Sequence, residues 1–405
     1  MIKALRQPQI QRLWIGQAFS SVGDEIYRVG LIWFAVSFLG SDTGYLAAGQ
    51  TASLMLLSFI GGKWADHWHP IKTMVSVDLL RALIVLIPVI TSFFIPLPLT
   101  MLWAVALVLA ALSAFFDPAT QATIPLLAKD PVMRQATNGL MGTTIRMARM
   151  VGPAIVGLLS AFIPMIHFFT IDALTFCISA LSVYSLKSHI PAKVSEAPKK
   201  SIGLCQAMTS GFHLIREKPG MTYIFFSKAA TTGPWNLALM IGFPLLVHQM
   251  TNGDAKSFGL VMASYGLGNF TGSLYFGSQV RTRLHHMLFS GYMWLGLGFI
   301  LIGLGPSLFW VITAAALAGL SGPMNDLAFI DLMQTEFEVK DLTKVFRLRM
   351  AVEAAGTLIF TLLSPLMIKA TSVRTVIVMC GAIWVVVGAA GWLRTYRRNP
   401  AFTKA

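Results

Sequence analysis

Charged side chains stand inside stretches of this sequence that are otherwise apolar, at spacings that suit proton exchange. Asp24 and Glu25 are adjacent, and Arg28 follows Asp24 at the i, i+4 spacing that brings two side chains together on one helix face. Glu25 points about 100° away from Asp24 on the same helix, so it cannot share Arg28 equally. A carboxyl group shielded from water can exchange protons near neutral pH, which makes Asp24 or Glu25 a candidate for proton coupling. A self-neutralising structural pair of Asp24 and Arg28 is the alternative.

Two arginines in a later apolar stretch suggest a different chemistry, the binding of anions. Arg146 and Arg149 are three residues apart and share a helix face, and two guanidinium groups cannot both be exposed to lipid. Guanidinium groups bind carboxylates with two hydrogen bonds, so an anion-binding wall of a central cavity is one interpretation. The other is structural pairing with Asp117 or Asp78, which is favoured for Arg149.

The second half of the chain carries polar and aromatic side chains that suit an amphipathic ligand at mid-depth of a membrane. Together with Arg28 and Arg146, the candidate substrate contacts are Lys228, Trp235, Asn236, Tyr265, Asn269, Asn325 and Asp326. Structural packing is the alternative for each aromatic residue, because most aromatics in such a chain face lipid or lie between helices. Glu353 is either a second protonation site or the partner of Arg349 one helical turn earlier.

The composition indicates the elements that must position these groups. The chain has 405 residues, of which 55% are hydrophobic and 12% charged, and its mean hydropathy is +0.68. Soluble proteins carry about a quarter charged residues. The composition therefore excludes a soluble enzyme, a nucleic-acid-binding protein and a disordered scaffold, and it predicts an all-α polytopic membrane protein.

Apolar stretches separated by Gly, Pro and charge clusters predict twelve membrane-spanning helices, since each span needs about 20 apolar residues. We place them near 12–39, 45–62, 73–95, 99–122, 138–162, 167–186, 220–248, 257–278, 286–305, 308–332, 346–369 and 374–394. Most of the 31 basic residues fall in alternate connections and in the two termini. The positive-inside rule then predicts that both termini are cytoplasmic. The net charge of +14 is therefore a topology signal rather than evidence for nucleic-acid binding.

A polar connection in the middle of the sequence divides the chain into two halves of six spans each. The predicted organisation is an N-terminal half 1–186, a cytoplasmic linker 187–219, a C-terminal half 220–394 and a tail 395–405. The second part of the linker has helical periodicity, which predicts a helix along the membrane surface. Similar Gly-rich corners after the second and eighth spans favour an internal repeat, a frequent plan among transporters.

Several chemical signatures are absent from the sequence. It has no Gly-x-x-x-x-Gly-Lys-Ser/Thr phosphate loop and no Gly-x-Ser-x-Gly elbow. Cys177, Cys205 and Cys380 are far apart and form no metal-binding pattern with histidine. We therefore expect no enzymatic activity, no cofactor and no metal site.

Two motifs carry a resemblance to the major facilitator superfamily over essentially the whole chain. The loop GGKWADHWHPIK resembles a degenerate form of the family's Gly-x-x-x-Asp-Arg-x-Gly-Arg-Arg loop through Gly62 and Asp66, with a histidine at the arginine position. The fifth span, RMARMVGPAIVGLL, is similar to the Gly-Pro-x-x-x-Gly signature of antiporters through Gly152, Pro153 and Gly157. The resemblance implies the twelve-helix major facilitator fold, in two pseudo-symmetric halves.

Further segments are similar to the drug-exporter branch that contains macrolide-efflux proteins and the exporter of the siderophore enterobactin. They are LWIGQAFSSVGDE, VDLLRAL, FFDPATQATIPLL and TIDALTF. The resemblance implies a cytoplasmic latch between Asp66 and the start of the eleventh span. The complete predicted gating set is Gly62, Asp66, Asp78, Arg81, Asp117, Arg149, Gly152, Pro153, Gly157, Arg347 and Arg349.

These observations predict a proton-coupled exporter that works by alternating access in the inner membrane. The basic residues Arg28, Arg146 and Lys228 favour an anionic, siderophore-type metabolite as its substrate. A multidrug, macrolide-like efflux pump and a lysophospholipid flippase are the alternatives within transport, and a non-transporting sensor is the alternative outside it. The expected partners are a small-molecule substrate, protons and membrane lipids, without nucleic acid, and the expected state is a monomer.

Overall fold

The computed structural model describes residues 2–53, 69–189, 204–278 and 283–398, and all regular secondary structure in these ranges is helical. The chain divides into two compact units. Unit 1 comprises Met1–Phe38 and Gly49–Pro198, and unit 2 comprises Leu39–Ala48 and Lys199–Ala405. The short segment Leu39–Ala48 joins unit 2 through an ion pair of 2.6 Å between Asp42 and Lys369.

The helices of the first part of the chain are mostly long enough to cross a bilayer. They are α1 (Ile2–Leu5), α2 (Pro8–Leu39), α3 (43–53), α4 (Pro70–Ser92), α5 (Leu99–Leu127), α6 (Pro131–Leu159) and α7 (His167–Tyr184). A 3₁₀ turn at Gly40–Asp42 separates α2 from α3, and another at Lys187–His189 follows α7.

The second part of the chain contains eight α-helices and one π-helical turn in the described residues. They are α8 (Leu204–Glu217), α9 (Met221–Asn236), the π turn (Leu237–Gly242), α10 (Phe243–Thr251), α11 (Ala255–Ser278), α12 (Leu284–Leu304), α13 (Leu308–Glu336), α14 (Val339–Ala370) and α15 (Val373–Arg398). The helix predicted in the linker is α8, which packs Gly211 and Ile215 against α14 rather than standing apart.

Nine helices within the described ranges are long and apolar enough to span a membrane. The predicted spans 138–162 and 257–278 coincide with α6 and α11, which are helical but not among the nine. The predicted span 45–62 begins in α3 and runs beyond the described residues after 53. A multi-pass helical membrane protein is therefore confirmed, and the count of twelve stays a prediction.

Short polar residues begin several helices by accepting hydrogen bonds from the first free backbone N–H groups. Asp130 accepts from the N–H of Met133 at 2.9 Å at the start of α6. Asp254 accepts from the N–H groups of Lys256 and Ser257 at the start of α11. Ser307 accepts from Trp310 at the start of α13. These caps give the apolar helices defined starting points between membrane segments.

The predicted span 220–248 is interrupted in the structure by the π turn Leu237–Gly242, a feature that the hydropathy pattern does not indicate. Pro234 lies in the last turn of α9 and lacks a backbone N–H, which weakens the regular i→i−4 ladder at that level. All six residues of the turn are buried. The span is therefore two helical segments joined inside the packed core of unit 2.

Candidate functional site

The first charged cluster in unit 1 is centred on Glu25 of α2. Arg28 forms an ion pair with Glu25 from the same helix, and Arg149 of α6 approaches Glu25 to 3.8 Å. Gly152 lets α6 come this close, because a side-chain carbon there would lie 2.8 Å from the Cβ of Glu25. Glu25 is thus a contact of both guanidinium groups, and the alternative pairing of Arg28 with Asp24 stays a prediction.

The second cluster of unit 1 is centred on Arg81 of α4, which is only 4% exposed. Its guanidinium lies over two aromatic rings, 4.8 Å from the centre of Phe116 and 5.4 Å from that of Phe176. Asp78, one turn earlier, is completely buried and lies 3.7 Å from Arg81. Asp78 and Arg81 thus form an interior ion pair of unit 1, supported by cation–π contacts.

Arg81 also lies within electrostatic reach of three further carboxyl groups. They are Asp24 of α2, Asp117 of α5 and Asp172 of α7. Asp172 also has a local contact, since the hydroxyl of Thr175 lies 3.4 Å from its Oδ1. Four aspartates from four helices therefore interact with one guanidinium, with Asp78 in direct contact.

In unit 2, Lys228 of α9 and Asp326 of α13 form an ion pair with an Nζ–Oδ1 distance of 2.5 Å. The lysine side chain is 7% exposed, whereas the aspartate side chain is 56% exposed. The prediction of Lys228 as a cation open to an anionic substrate does not fit this geometry. The ammonium group is buried behind the carboxylate, because α9 and α13 place the two side chains on facing sides.

A second pair in unit 2 joins Arg349 and Glu353 on successive turns of α14. Arg349 Nε donates to Glu353 Oε1 at 2.8 Å. The ring of Phe329 lies 4.9 Å from the Arg349 guanidinium and 5.6 Å from the Lys228 ammonium, so one aromatic face serves both cations. Of the two interpretations of Glu353, the geometry favours the partner of Arg349.

The other predicted substrate contacts of unit 2 bond largely to groups within the same unit. Trp235 Nε1 donates to the hydroxyl of Tyr265 at 3.0 Å, and Asn236 donates to Thr357 at 3.3 Å. Asn325 is buried and donates to the carbonyl of Gly322 in its own helix at 2.9 Å. Asn269 lies beside Tyr265. These hydrogen bonds join α9 to α11 and to α14.

Some predicted site residues have no described position or side chain. Gly62 and Asp66 lie outside the described residues, so the predicted latch stays a prediction. The side chains of Arg146, Pro153 and Arg347 are likewise outside the described part of the structure. Gly157 is buried on α6.

Sequence reasoning missed the hydroxyl groups that accompany the aspartates of unit 1. Tyr27 stands one turn after Asp24, and Ser179 stands two turns after Asp172 on the same face of α7. The i, i+3 and i, i+7 spacings were visible in the sequence. The signal was hidden because serine and tyrosine are common in membrane helices.

A cavity of about 640 Å³ lies between α8 and α14. It is lined by Thr209, Phe212, His213, Arg216, Glu217, Leu348 and Val352. None of the predicted site residues lines it, so the candidate site consists of the buried charges rather than of this cavity.

Comparison with known proteins assigns the chain to a family. Residues 2–331 match the family model described as transmembrane secretion effector. Macrolide efflux protein A of Streptococcus pyogenes is 23% identical over 361 residues, which cover 87% of this chain and 88% of the relative. The multidrug efflux pump Tap of Mycolicibacterium fortuitum is 24% identical over 330 residues, which cover 78% of each chain.

Solved structures show the same fold at low sequence identity. The POT family transporter PepTSo superposes with a TM-score of 0.70 at 11% identity, over 97% of this chain and 99% of that one. A POT peptide transporter in complex with alafosfalin gives a TM-score of 0.67 at 11% identity, over 96% of this chain and 94% of that one. At this level of identity the likeness concerns the fold alone. Taken together, these matches show that the chain is a multi-pass membrane transporter of the efflux type and belongs to the transmembrane secretion effector family of the major facilitator superfamily.

Proposed function

We propose that the protein is a proton-coupled efflux pump for amphipathic organic compounds and works by alternating access. The likeness to macrolide and multidrug efflux proteins over most of the chain supports the substrate class. The buried carboxyl groups of unit 1 support coupling to protons, since charged groups in membrane helices cost about 2.5–3.5 kcal/mol each and are retained for function. Asp24 on α2 is the observation that carries the coupling proposal.

Asp24 is a better candidate for proton exchange than Glu25. Two guanidinium groups, those of Arg28 and Arg149, already contact Glu25. Asp24 instead interacts with Arg81 while Glu25 and Asp117 oppose its charge. A carboxyl group in this balanced field can change its charge with a small change in its surroundings. Glu353 is less suited to the role because Arg349 binds it at 2.8 Å.

An anionic, siderophore-type substrate is the second candidate. This hypothesis was based partly on Lys228, whose ammonium group forms an ion pair with Asp326. It keeps one specific support, the side chain of Arg149, which is 70% exposed and can bind a carboxylate. A lysophospholipid flippase has no comparable contact in its favour.

The remaining proposals concern location and assembly. The distribution of basic residues supports placement in the inner membrane with both termini in the cytoplasm. We retain a monomer in contact with membrane lipids as the working state.

The proposed function is tested in everted membrane vesicles that contain the protein, an imposed pH gradient and radiolabelled erythromycin. We expect gradient-driven accumulation with the native protein and a loss of at least about tenfold with Asp24→Asn, a change of about 1.4 kcal/mol or more in coupling. Asp130→Asn is the matched control, because asparagine also caps helices and Asp130 lies outside the charged clusters. Gradient-independent accumulation by the native protein would contradict proton coupling.

The siderophore alternative has its own test. Culture medium from the parent strain and a deletion strain, both starved of iron, is compared by mass spectrometry. If one chelator disappears from the medium of the deletion strain and accumulates inside its cells, that chelator rather than an amphipathic drug is the substrate. Unchanged chelator secretion together with greater sensitivity to macrolides would support the main proposal.

A further inference from the structure

A group of buried polar atoms in unit 1 lacks hydrogen-bond partners within the described part of the chain. The atoms come from α2, α4 and α7 and include two hydroxyl groups, two carboxylates and one guanidinium nitrogen. They are Tyr27 Oη, Asp78 Oδ1 and Oδ2, Arg81 Nε, Asp172 Oδ2 and Ser179 Oγ. Each of the five side chains is more than nine-tenths buried, with Tyr27 the most exposed at 7%.

Contacts between the three helices bring these side chains near one another. Arg81 of α4 lies 3.7 Å from Asp78 and 5.4 Å from the ring centre of Phe176 on α7, and the ring of Tyr27 on α2 packs on that of Phe169 on α7. Ser179 stands beside Asp78, and Arg81 lies within electrostatic reach of Asp172. We name this group of buried polar side chains the aspartate chamber.

Gly23 of α2 allows this helix to lie close to Asp172 and Thr175 of α7. A side-chain carbon at Gly23 would overlap the hydroxyl of Thr175 and lie 2.9 Å from its Cβ. The same carbon would lie 2.6 Å from Asp172 Oδ1. The absence of a side chain on Gly23 is what allows Asp172 to face α2.

Unsatisfied polar atoms in such a space require water. A buried polar group without a partner costs about 1–3 kcal/mol, and interior waters normally make about three hydrogen bonds to such groups. The chamber offers donors from Tyr27, Ser179 and Arg81 and acceptors from Asp78 and Asp172. This mixture satisfies the requirements of bound water, which an apolar cavity does not.

Among the described side chains, the charges of the chamber do not balance when every group is ionised. Arg81 is the cation shared by Asp24, Asp78, Asp117 and Asp172, and Arg149 lies near Asp24 and Asp117. Several carboxylates crowded around few cations cannot all ionise in a poorly solvated interior, and protons are the simplest counter-charge.

We propose that α2, α4 and α7 enclose a water-filled chamber in which Asp78 and Asp172 hold the coupling proton, with Tyr27 and Ser179 as positioning residues. The proposal rests on proton coupling as the proposed function and names the site of the proton within unit 1. The titratable and charged groups that face this site are Asp24, Glu25 and Arg28 on α2, Arg81 on α4, Asp117 on α5 and Arg149 on α6.

The transfer step is a simple exchange of one proton. The carboxylic acid of Asp78 or Asp172 gives its proton to a chamber water, and that water gives a proton to the carboxylate of Asp24. Asp24 interacts with both chamber aspartates, so it connects the chamber to the Glu25 cluster on α2. No oxidant, metal or further reactant takes part.

Infrared titration of the full-length protein in lipid nanodiscs tests the proposal without any transport substrate. The protonated carboxyl band is recorded against pH for the native protein, for Asp78→Asn, for Asp172→Asn and for the double variant. The informative signal is the protonated carboxyl band that remains at neutral pH, where ordinary exposed carboxyl groups are ionised. We expect each single variant to lose part of this neutral-pH band and the double variant to lose about half of it or more, because the two sites titrate together. Asp130→Asn is the control and leaves the neutral-pH band unchanged.

Two further variants separate a proton site from a purely structural one. Tyr27→Phe and Ser179→Ala remove a hydroxyl group without removing a carboxyl group. We expect the full amplitude of the band with a displaced midpoint, because a water that solvates the carboxylates loses a partner. Thermal unfolding in the same nanodiscs shows that each variant is folded before its band is interpreted. A folded double variant with an unchanged titrating band would overturn the proposal.

The same variants are assayed for pH-driven erythromycin accumulation, so that the two proposals can fail separately. If the double variant loses about half of the band or more, the chamber is supported. If the native protein in addition shows no gradient-driven transport, the proposed function is rejected. Gradient-driven transport by the native protein and equally by the folded double variant rejects the chamber and keeps the function. Loss of gradient-driven transport with retained substrate exchange in the double variant supports both.

Discussion

In unit 2, Lys228 and Asp326 meet at 2.5 Å and Arg349 and Glu353 at 2.8 Å. In unit 1, the nearest carboxylate to Arg81 is that of Asp78 at 3.7 Å, and Arg81 serves three further aspartates. Both regions place charge in membrane helices, and both stack a cation on aromatic rings. The difference lies in the balance between acids and bases and in the distances between them.

Close ion pairs with equal numbers of acids and bases have one stable charge state, because each partner stabilises the other's charge. The four charges of unit 2 are balanced in this way, and Lys228 also lies within electrostatic reach of Glu353 and Arg349. A guanidinium shared by several carboxyl groups leaves some of them without a full counter-charge, and their protonation then depends on small movements of the helices. The comparison teaches that the paired charges of unit 2 are suited to fixed packing. Under the proposed function, unit 1 is the part of the molecule suited to a change of protonation during transport.

The largest expected effect comes from removing the shared cation. Arg81→Leu leaves four aspartates with no central counter-charge and should lower the free energy of unfolding by about 3–5 kcal/mol or prevent folding. Arg81→Lys keeps the charge but loses the flat guanidinium over Phe116 and Phe176, so an intermediate loss is expected. Thermal unfolding in detergent measures both, with the exposed Arg12→Leu as control. Equal stability of Arg81→Leu and Arg12→Leu would show that the aspartates are not held by Arg81.

A smaller effect is expected from adding a methyl group at Gly23, where α2 lies against α7 beside the aspartate chamber. Gly23→Ala forces a methyl group against Thr175 and Asp172 and should cost about 1–3 kcal/mol of stability by overpacking. Gly49→Ala is the matched control in the same unit, since its methyl group would lie an ordinary 3.5 Å from Leu107. Unfolding temperatures of the two variants are compared, and a Gly23 variant as stable as the Gly49 variant would contradict the close approach of α2 and α7.

The next prediction concerns whether the pairs of unit 2 are self-contained. Arg349→Leu leaves Glu353 without its partner and should cost about 1–2 kcal/mol, reduced by the partial exposure of both side chains. The double variant R349L/E353L should recover most of that loss, because both charges are removed together. A double-mutant cycle on unfolding free energies gives the coupling. No recovery in the double variant would mean that Arg349 also serves other groups, as Arg81 does.

The smallest effects are expected at helix caps, where the two units behave alike. Hydrogen bonds from Ser257 lower the pKa of Asp254 below its ordinary value of 3.8. Its contribution to stability is therefore present above that value and is lost as the pH falls through the lowered value. Asp254→Ala should cost about 0.5–1 kcal/mol near neutral pH and nothing in strong acid.

Asp130→Ala, which removes the corresponding cap of unit 1, should cost a similar amount. Unfolding measured at several pH values checks both variants. A loss for Asp254→Ala that persists at the most acidic pH would show a role other than capping by the carboxylate.

Much of the fold was predictable from the sequence. Helices lie at the predicted spans in the described residues because apolar runs of this length have to satisfy their backbone hydrogen bonds internally. The π turn at Leu237–Gly242 was not predictable, because hydropathy carries no information about the local pattern of backbone hydrogen bonds. For the candidate site, the sequence predicts which residues take part but not how they are arranged. Asp24, Asp78 and Arg81 were among the predicted site residues, but their interaction with Asp172 in the interior of unit 1 was not predictable.

The sequence by itself determined that this is a multi-pass membrane protein with charged groups inside its helices, because composition and run length alone decide what a bilayer accepts. Only the tertiary structure decided which charges meet. Arg28 has carboxylates at both i−3 and i−4 in the sequence, and the structure shows that its contact Glu25 is also approached by Arg149 of α6. Lys228 is a cation in the sequence but a buried counter-charge in the fold. Partner choice depends on distances between helices, and those distances are set by small residues such as Gly23 and Gly152 that local sequence patterns do not connect to their neighbours.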